Sequence, residues 1–175
     1  MIGFNFRMTE IEAAIGREQL KKLPALVAER QALAARLTAG IQGLKGLQTP
    51  LIKPGNTHAY YVYPLVVKAA QTGVGRDRIV EALAAEGVAA AAGYCNLHLL
   101  PMYQQRIAYG KKGYPWRGGS WQGEVDYAKG ICPVAEALHE REFFCIGMCQ
   151  YDYRPEDIDL LAGAFHKVWA SLGAL

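Results

Sequence analysis

Two polar side chains near the start of the chain have the chemistry to hold an anionic group. Asn5 and Arg7 alternate with the apolar residues Phe4, Phe6 and Met8. This is the pattern of an extended segment that buries one face and presents polar groups on the other. Arginine offers a planar fork suited to phosphate or carboxylate, and asparagine offers an amide donor. The segment is either part of a binding site or an exposed tail with incidental charge, and its periodicity does not decide between the two.

His98 is the one histidine of four in a predicted loop with polar and aromatic neighbours, which include Asn96 and Tyr103. Binding residues are concentrated on loops, so His98 is open to a role in a site as well as to a structural one. His139 and His166 fall on predicted helices, where a solvated or capping role is expected.

Composition and missing motifs argue against several classes of function. The chain has 175 residues, a net charge of +3 and 20% charged residues. Its basic and acidic residues alternate instead of forming a stripe, so no nucleic-acid partner is expected. No segment reaches the roughly 18 apolar residues of a membrane helix, and the start lacks the layout of a signal peptide. We therefore expect no membrane association and a cytoplasmic location.

The cysteines and the known catalytic motifs add no site. The four cysteines form no CxxC pair, which argues against a disulfide framework or a structural zinc site, and Cys145 and Cys149 are expected to be buried thiols. The sequence also lacks the glycine-rich phosphate loops, the zinc-protease helix motif and the serine-hydrolase elbow. No metal site is predicted.

The elements that must position the polar residues begin with a helix start signal. Thr9 followed by Glu12 is a capping box, so a helix is predicted to begin there. Pro24 is expected to interrupt this helix, because an interior proline removes a backbone hydrogen bond. A second helix is predicted from Pro24 to Gly43, with its apolar side turned inward.

The rest of the chain alternates strands and helices. Residues 60–67 are dense in aromatic and β-branched side chains and form the clearest strand. Pro64 lacks an N–H, so this strand is predicted to lie at an edge or to carry a bulge. Further strands are predicted over 88–94 and 143–149, helices over 75–86, over 133–141 and from Arg154 onward, and a long loop over 109–130. The pattern predicts an α+β fold with a small, largely antiparallel sheet covered on one face by helices.

The residues from Gly3 to Gly16 resemble a known loop and helix. They match G-[YF]-N-[YF]-R-M-[TNS]-[DE]-x-x-A-A-x-G, a long and specific pattern of the DegT/DnrJ/EryC1/StrS aminotransferases. These are pyridoxal phosphate (PLP) enzymes that aminate keto sugars and cyclitols. Shorter segments in the family's order support the resemblance: His58-Ala59-Tyr60-Tyr61-Val62-Tyr63, Gly87-Val88, Leu97-His98-Leu99-x-Pro101-x-Tyr103 and Pro133-Val134-Ala135-Glu136.

The resemblance implies that this chain supplies the C-terminal part of a type I aminotransferase. Residues 1–45 would be N-terminal helices that link to a large domain absent from the chain, and residues 46–175 would be the α+β small domain. The lysine that holds the cofactor belongs to the large domain, and no lysine here matches its motif. The resemblance therefore implies that the chain contains no catalytic residue, binds no PLP by itself and is inactive alone.

The resemblance also assigns roles to four residues. Asn5 matches an asparagine that reaches the cofactor phosphate of the other subunit, and Arg7 matches an arginine on the substrate side of that site. His98 matches a histidine near the sugar nucleotide, and Tyr103 lies in the same segment. Asn5 is thus a predicted cofactor-binding residue, and Arg7, His98 and Tyr103 are predicted to bind substrate.

The function implied for the intact enzyme is amination of a keto sugar, nucleotide-linked, for polysaccharide or antibiotic biosynthesis. Its partner would be the PLP domain or another subunit of a homo-oligomer. The alternative is a non-catalytic interaction or dimerisation module. The chain departs from the family pattern at Asn96, where proline is usual, at Cys132, where an aromatic is usual, and in an insertion over 113–123. These departures leave the sugar open.

Overall fold

The computed structural model describes residues 6–119 and 123–175. The strands are Leu47–Gln48 (β1), Tyr63–Val67 (β2), Ala90–Ala92 (β3) and Phe143–Ile146 (β4). The helices are Glu10–Ile41 (α1), Ala69–Thr72 (α2), Arg76–Ala85 (α3), Pro101–Gln105 (α4), Pro133–Ala137 (α5) and Pro155–Ala170 (α6). Short 3-10 turns lie at Leu97–Leu99 and Leu172–Ala174, and a π-helical turn lies at Leu138–Glu142.

The four strands form one antiparallel sheet in the order β1-β2-β4-β3. Along β2, Tyr63, Leu65 and Val67 are buried while the residues between them are half-buried, the alternation of a sheet with one covered face. That face packs against α1, α3 and α6 in a single core. The helices contribute Ala34, Leu37, Ile41, Ile79, Leu83, Ile158, Phe165 and Val168. The predicted α+β class is confirmed.

The strand that contains Pro64 is not an edge strand, so that part of the prediction is wrong. β2 lies between β1 and β4, and Pro64 pairs with Cys145 of β4. On its other side, β1 pairs only with Val66 and Val67. The short β1 ends before it reaches Pro64, so the missing N–H leaves no gap in the ladder between β1 and β2.

The prediction of two helices separated at Pro24 is also wrong. The capping box is present, since the Glu12 N–H donates to the Thr9 hydroxyl and the Glu12 carboxylate accepts from the Thr9 N–H. The helix then runs unbroken through Pro24 to Ile41. Strong helix formers flank the proline on both sides. The Leu20 carbonyl, which loses its partner, lies on an exposed turn of helix, where water can satisfy it.

Replacing Pro24 with alanine is expected to stabilise the N-terminal half of α1. Interior proline is about 3 kcal/mol less favourable than alanine, and the half of α1 before Pro24 is exposed and has little packing to hold it. Amide hydrogen exchange of residues 10–23 should slow by about tenfold or more in Pro24→Ala. Pro133→Ala, which changes a proline in the first turn of α5, should leave the same amides unchanged. Equal exchange in Pro24→Ala and wild type would contradict the prediction.

The other predicted helices and strands differ from the observed ones mainly in length. The helix predicted over 75–86 is α3, and Gly87 ends it with a positive φ of 86°. The strand predicted over 88–94 is shortened to β3, and β1 was not predicted. Cys145 and Cys149 are half-buried rather than buried, and burial raises the pKa of the Cys145 thiol. No helix in the described ranges is long and apolar enough to cross a membrane.

Candidate functional site

His98 is held against a buried carboxylate. It lies on the 3-10 turn Leu97–Leu99, which leads directly into α4. Its Nε2 is 2.9 Å from Oε1 of Glu136 on α5. Both side chains are largely shielded from solvent, with 11% of His98 and 8% of Glu136 exposed. A charged residue is rarely buried to this degree without partners, so this pair is the first candidate for a functional site.

Glu136 is fixed by backbone donors as well as by His98. Its two carboxylate oxygens accept from the Gly130 N–H at 2.8 and 3.0 Å, and Oε1 also accepts from the Cys132 N–H at 3.3 Å. The Gly130 N–H is the main cause that lowers the pKa of Glu136, against the opposing effect of burial, and the His98 hydrogen bond lowers it further. Glu136 is therefore an acceptor-only carboxylate at neutral pH. Because this carboxylate can only accept, His98 donates to it from Nε2, and Nδ1 is the ring nitrogen that Glu136 does not engage.

The sequence reasoning did not single out Glu136 as a site residue. The signal that could have found it is a carboxylate in the first turn of a helix that opens with proline, Pro133. Acidic side chains in first turns commonly accept from backbone N–H groups just before the helix. What the sequence could not indicate is that His98, 38 positions earlier, completes the set.

Acid should weaken the fold through Glu136. Because its pKa is lower in the folded chain than the ordinary 4.5, its contribution to stability is present above that value and is lost as the pH falls through the folded-state pKa. We expect wild type to lose more stability between pH 7 and about pH 3 than Glu136→Gln does. Urea unfolding at both pH values measures this. Glu12 and Asp159, whose pKa values are also lowered, titrate in both proteins, so the difference reports Glu136. Parallel acid losses would contradict the assignment.

Tyr103 belongs to an aromatic cluster beside the His98 turn. Its ring lies 5.3 Å from the Tyr127 ring and 6.2 Å, edge to face, from the Trp116 ring. Trp116 Nε1 donates to the Tyr127 hydroxyl at 2.8 Å. All three rings are half-buried. The long segment predicted as a functional or mobile loop thus folds back, in its described part, onto α4.

One amide links this cluster to His98. Gln104 Nε2 donates to the His98 carbonyl at 2.7 Å and to the Tyr127 carbonyl at 2.6 Å. Gln104 thus joins His98 to Tyr127 by hydrogen bonds, and Tyr103 packs on Tyr127 through its ring. Two of the predicted substrate residues, His98 and Tyr103, therefore lie in one unit. Gln104 was not predicted, because an exposed glutamine on a short helix carries no signal in the sequence.

Arg76 anchors the segment that follows Glu136. It is 5% exposed, and its guanidinium donates to the carbonyls of His139 at 3.2 Å, Glu140 at 2.7 Å and Phe143, and to the Asp77 carboxylate. Carbonyls at the end of a helical turn lack backbone partners. Arg76 supplies a partner to the His139 and Glu140 carbonyls of the π-helical turn and a second donor to the Phe143 carbonyl, which also accepts from the Gly93 N–H. It thereby joins α3 to this turn and to β4.

The other two residues predicted for the site, Asn5 and Arg7, belong to the opening segment of the chain. Arg7 is exposed on the segment that precedes α1, and Asn5 lies outside the described residues. His166, expected to be solvated or to cap a helix, lies on α6 with Nε2 2.8 Å from the Gly40 carbonyl. The same expectation is wrong for His139 on the π-helical turn: its ring packs edge to face on Phe143, and its Nδ1 is buried without a hydrogen-bond partner among the described residues. Within residues 6–119 and 123–175, no group of His, Cys, Asp or Glu side chains could hold a metal ion.

Comparison with known families gives a match over most of the chain. The model of the DegT/DnrJ/EryC1/StrS aminotransferase family matches residues 1–117, a stretch that includes the opening segment, His98 and Tyr103. The chain is 32% identical over 162 residues to the dTDP-3-amino-3,4,6-trideoxy-alpha-D-glucose transaminase of Micromonospora megalomicea subsp. nigra, covering 89% of this chain and 36% of that protein.

Two further similarities concern polysaccharide biosynthesis and the fold. The chain is 30% identical over 114 residues to the spore coat polysaccharide biosynthesis protein SpsC of Bacillus subtilis (strain 168), covering 65% of this chain and 29% of SpsC. A Streptococcus pneumoniae protein solved in its PLP form superimposes with a TM-score of 0.65 at 21% identity, over 95% of this chain and 37% of that one. The chain thus spans about a third of the length of these relatives.

Proposed function

Because the chain belongs to the DegT/DnrJ/EryC1/StrS aminotransferase family, we propose that it forms the C-terminal part of a PLP-dependent enzyme that aminates a nucleotide-linked keto sugar. The observation that carries the proposal is the family match over residues 1–117. The transaminase of Micromonospora megalomicea, whose name specifies a dTDP-linked amino sugar, supports the choice of substrate. In this proposal residues 1–45 link to a PLP domain, and residues 46–175 form the small domain.

The residues of this chain bind and orient, and they carry out no covalent step. PLP, when bound, would carry the amino group between donor and acceptor and would act as the electron sink for that transfer. The Asn5 amide is proposed to donate to the cofactor phosphate, and the Arg7 guanidinium to hold an anionic group of the substrate. Both side chains suit such a role, because neither has to titrate in order to bind phosphate or carboxylate.

His98 and Tyr103 are proposed to position the sugar nucleotide. The hydrogen bond to Glu136 fixes the ring of His98 and leaves Nδ1 for a hydrogen bond with the substrate. The contacts with Trp116 and Tyr127 hold the ring of Tyr103 in place beside the turn that carries His98. Because both rings are already fixed before the substrate binds, less entropy is lost on binding.

The exposed half of α1 is proposed to pack against the PLP domain. Ile11, Ile15 and Leu26 recur at helical spacing and are 74%, 58% and 43% exposed. The same helix face continues into Leu33 and Leu37, which pack in the core. An apolar face of this length is a typical interaction surface. The PLP domain of the same enzyme, or another subunit, would cover it.

Expression of residues 1–175 together with any PLP domain encoded immediately upstream of them tests the proposal. The product should bind PLP, seen as a visible absorbance band, and should transfer an amino group from glutamate to a TDP-linked keto sugar. Residues 1–175 alone should show neither property. Absence of PLP from the longer product would contradict the proposed function. PLP that borohydride attaches to a lysine within residues 1–175 would contradict the statement that this part holds no catalytic residue.

The exposed apolar face of α1 also favours a second candidate, a non-catalytic interaction or dimerisation module. Sedimentation of residues 1–175 separates the two. A discrete, stable dimer with a single cooperative melt would favour the module. Self-association into aggregates of no fixed size, which stops when the PLP domain is co-expressed, would favour the aminotransferase. A surface that normally contacts another domain is not self-complementary, so it does not form a closed dimer.

A further inference from the structure

A small apolar cavity opens beside the aromatic cluster. It has a volume of about 240 Å³ and is lined by Pro115, Trp116, Val125 and Tyr127. The Trp116 and Tyr127 rings meet nearly at right angles, with 6.3 Å between ring centroids. The hydrogen bond from Trp116 Nε1 to the Tyr127 hydroxyl holds this corner in place. The rings of Trp116 and Tyr127 thus form two fixed aromatic walls of the cavity.

A guanidinium is hydrogen-bonded to one of the residues that line the cavity. Arg106 ends α4 in a left-handed conformation, with φ of 54°, and its Nη2 donates to the carbonyl of Val125 at 3.0 Å. It is half-buried, and no carboxylate of residues 6–119 or 123–175 forms an ion pair with it. A guanidinium tied in this way to a residue of the lining suits an anion attached to an apolar ring.

The lining favours a flat heteroaromatic ring over a sugar. The lining offers one side-chain hydroxyl, that of Tyr127, which accepts from Trp116 and retains its own O–H to donate. A hexose would therefore place most of its hydroxyls against apolar walls without partners, at a cost in free energy. A nucleobase carries its polar atoms in the ring plane and presents apolar faces, which stack on aromatic side chains regardless of base identity.

We infer that this cavity is the subsite for the nucleotide part of the substrate, with the base against Trp116 and Tyr127 and a phosphate at Arg106. This inference rests on the proposed function. Gln104 ties the Tyr127 carbonyl to the His98 carbonyl, so a nucleotide bound here is anchored to the same unit as His98. The remainder of the substrate would then be presented to the His98 side of that unit.

The test is binding of free nucleotides to residues 1–175, measured by saturation-transfer NMR on the ligand protons. The probes are uridine, thymidine and guanosine monophosphates and the three corresponding nucleosides. At least one nucleotide should bind saturably in the millimolar range and shift the Trp116 indole N–H signal, which is assigned by its absence in Trp116→Phe. The monophosphate should bind about tenfold more tightly than its nucleoside at low salt.

Variants separate the two contributions. Trp116→Ala should weaken nucleoside and nucleotide binding by about tenfold, whereas Trp116→Phe, which keeps a flat ring, should retain most of it. Arg106→Gln, which can still donate to the Val125 carbonyl, should remove the preference for the monophosphate and leave nucleoside binding unchanged. Tyr151→Ala, which removes an exposed ring outside the cavity, should have no effect. Circular dichroism checks that each variant is folded.

Two results would overturn the inference: no saturable binding of any of the three nucleotides, or binding that Trp116→Phe, Trp116→Ala and Arg106→Gln all leave unchanged. Amination by the longer gene product in that case would show that the proposed function stands while the nucleotide binds elsewhere. Nucleotide binding at Trp116 without any amination by the longer product would show that the cavity binds nucleotides while the proposed function fails.

Discussion

Replacing Arg76 with alanine is expected to lower the free energy of unfolding by about 3–5 kcal/mol. The guanidinium is almost fully buried and donates to three backbone carbonyls, those of His139, Glu140 and Phe143. Alanine would remove the side-chain donor from all three carbonyls; Phe143 would still accept from the Gly93 N–H at 2.8 Å, whereas the His139 and Glu140 carbonyls would lose the bond that Arg76 gives them. Urea unfolding followed by circular dichroism measures the loss.

Arg78 offers a matched control on the same helix. It is exposed and pairs with Glu81 one turn away, so Arg78→Ala should change stability by no more than about 0.5 kcal/mol. Arg76→Lys should fall between Arg76→Ala and wild type, because a single ammonium cannot reproduce a planar fork directed at three carbonyls. Equal effects of Arg76→Ala and Arg78→Ala would show that the buried bonds contribute little.

Replacing Glu136 with alanine is expected to destabilise the His98 site as a unit. The Gly130 and Cys132 N–H groups and Nε2 of His98 would all lose their acceptor. We expect the thermal unfolding midpoint to fall by about 5 °C or more. The signal of the His98 ring should also broaden or shift in NMR spectra, because its orientation is no longer fixed. Glu136→Gln keeps the shape but turns an N–H₂ group toward backbone donors, so it should recover only part of the loss.

Glu140 provides the control for the Glu136 carboxylate. It lies four positions later and pairs with the exposed Lys129, so Glu140→Ala should leave the His98 signal in place.

On the proposed function, kinetics of the protein that also contains a PLP domain give a second measurement. Glu136→Ala and His98→Ala should each lower kcat/KM for the sugar substrate by about tenfold or more, and the double variant should be little worse than either. Fully additive losses would contradict the view that Glu136 acts through His98.

Much of the fold follows from local patterns. The capping box at Thr9 and Glu12 sets the start of α1, because its hydrogen bonds involve residues three apart and need no tertiary partner. The aromatic and β-branched run up to Val67 predicts β2, and Gly87 sets the end of α3 through its positive φ. The α+β class follows from the order of these elements. Each signal is contained within one stretch of chain, so the sequence suffices to read it.

The sequence also determined the family, through the long pattern around Asn5 and Arg7, but it did not determine how the site is built. The inner position of β2 and the contacts of His98, Tyr103 and Arg76 were decided by the tertiary structure. The Glu136 carboxylate meets His98 across 38 residues, and Arg76 meets the Phe143 carbonyl across 67. Such bonds are set by which surfaces the core brings together, since burial of apolar area is not directional. Local patterns fix the elements, and packing alone selects which polar groups on them become partners.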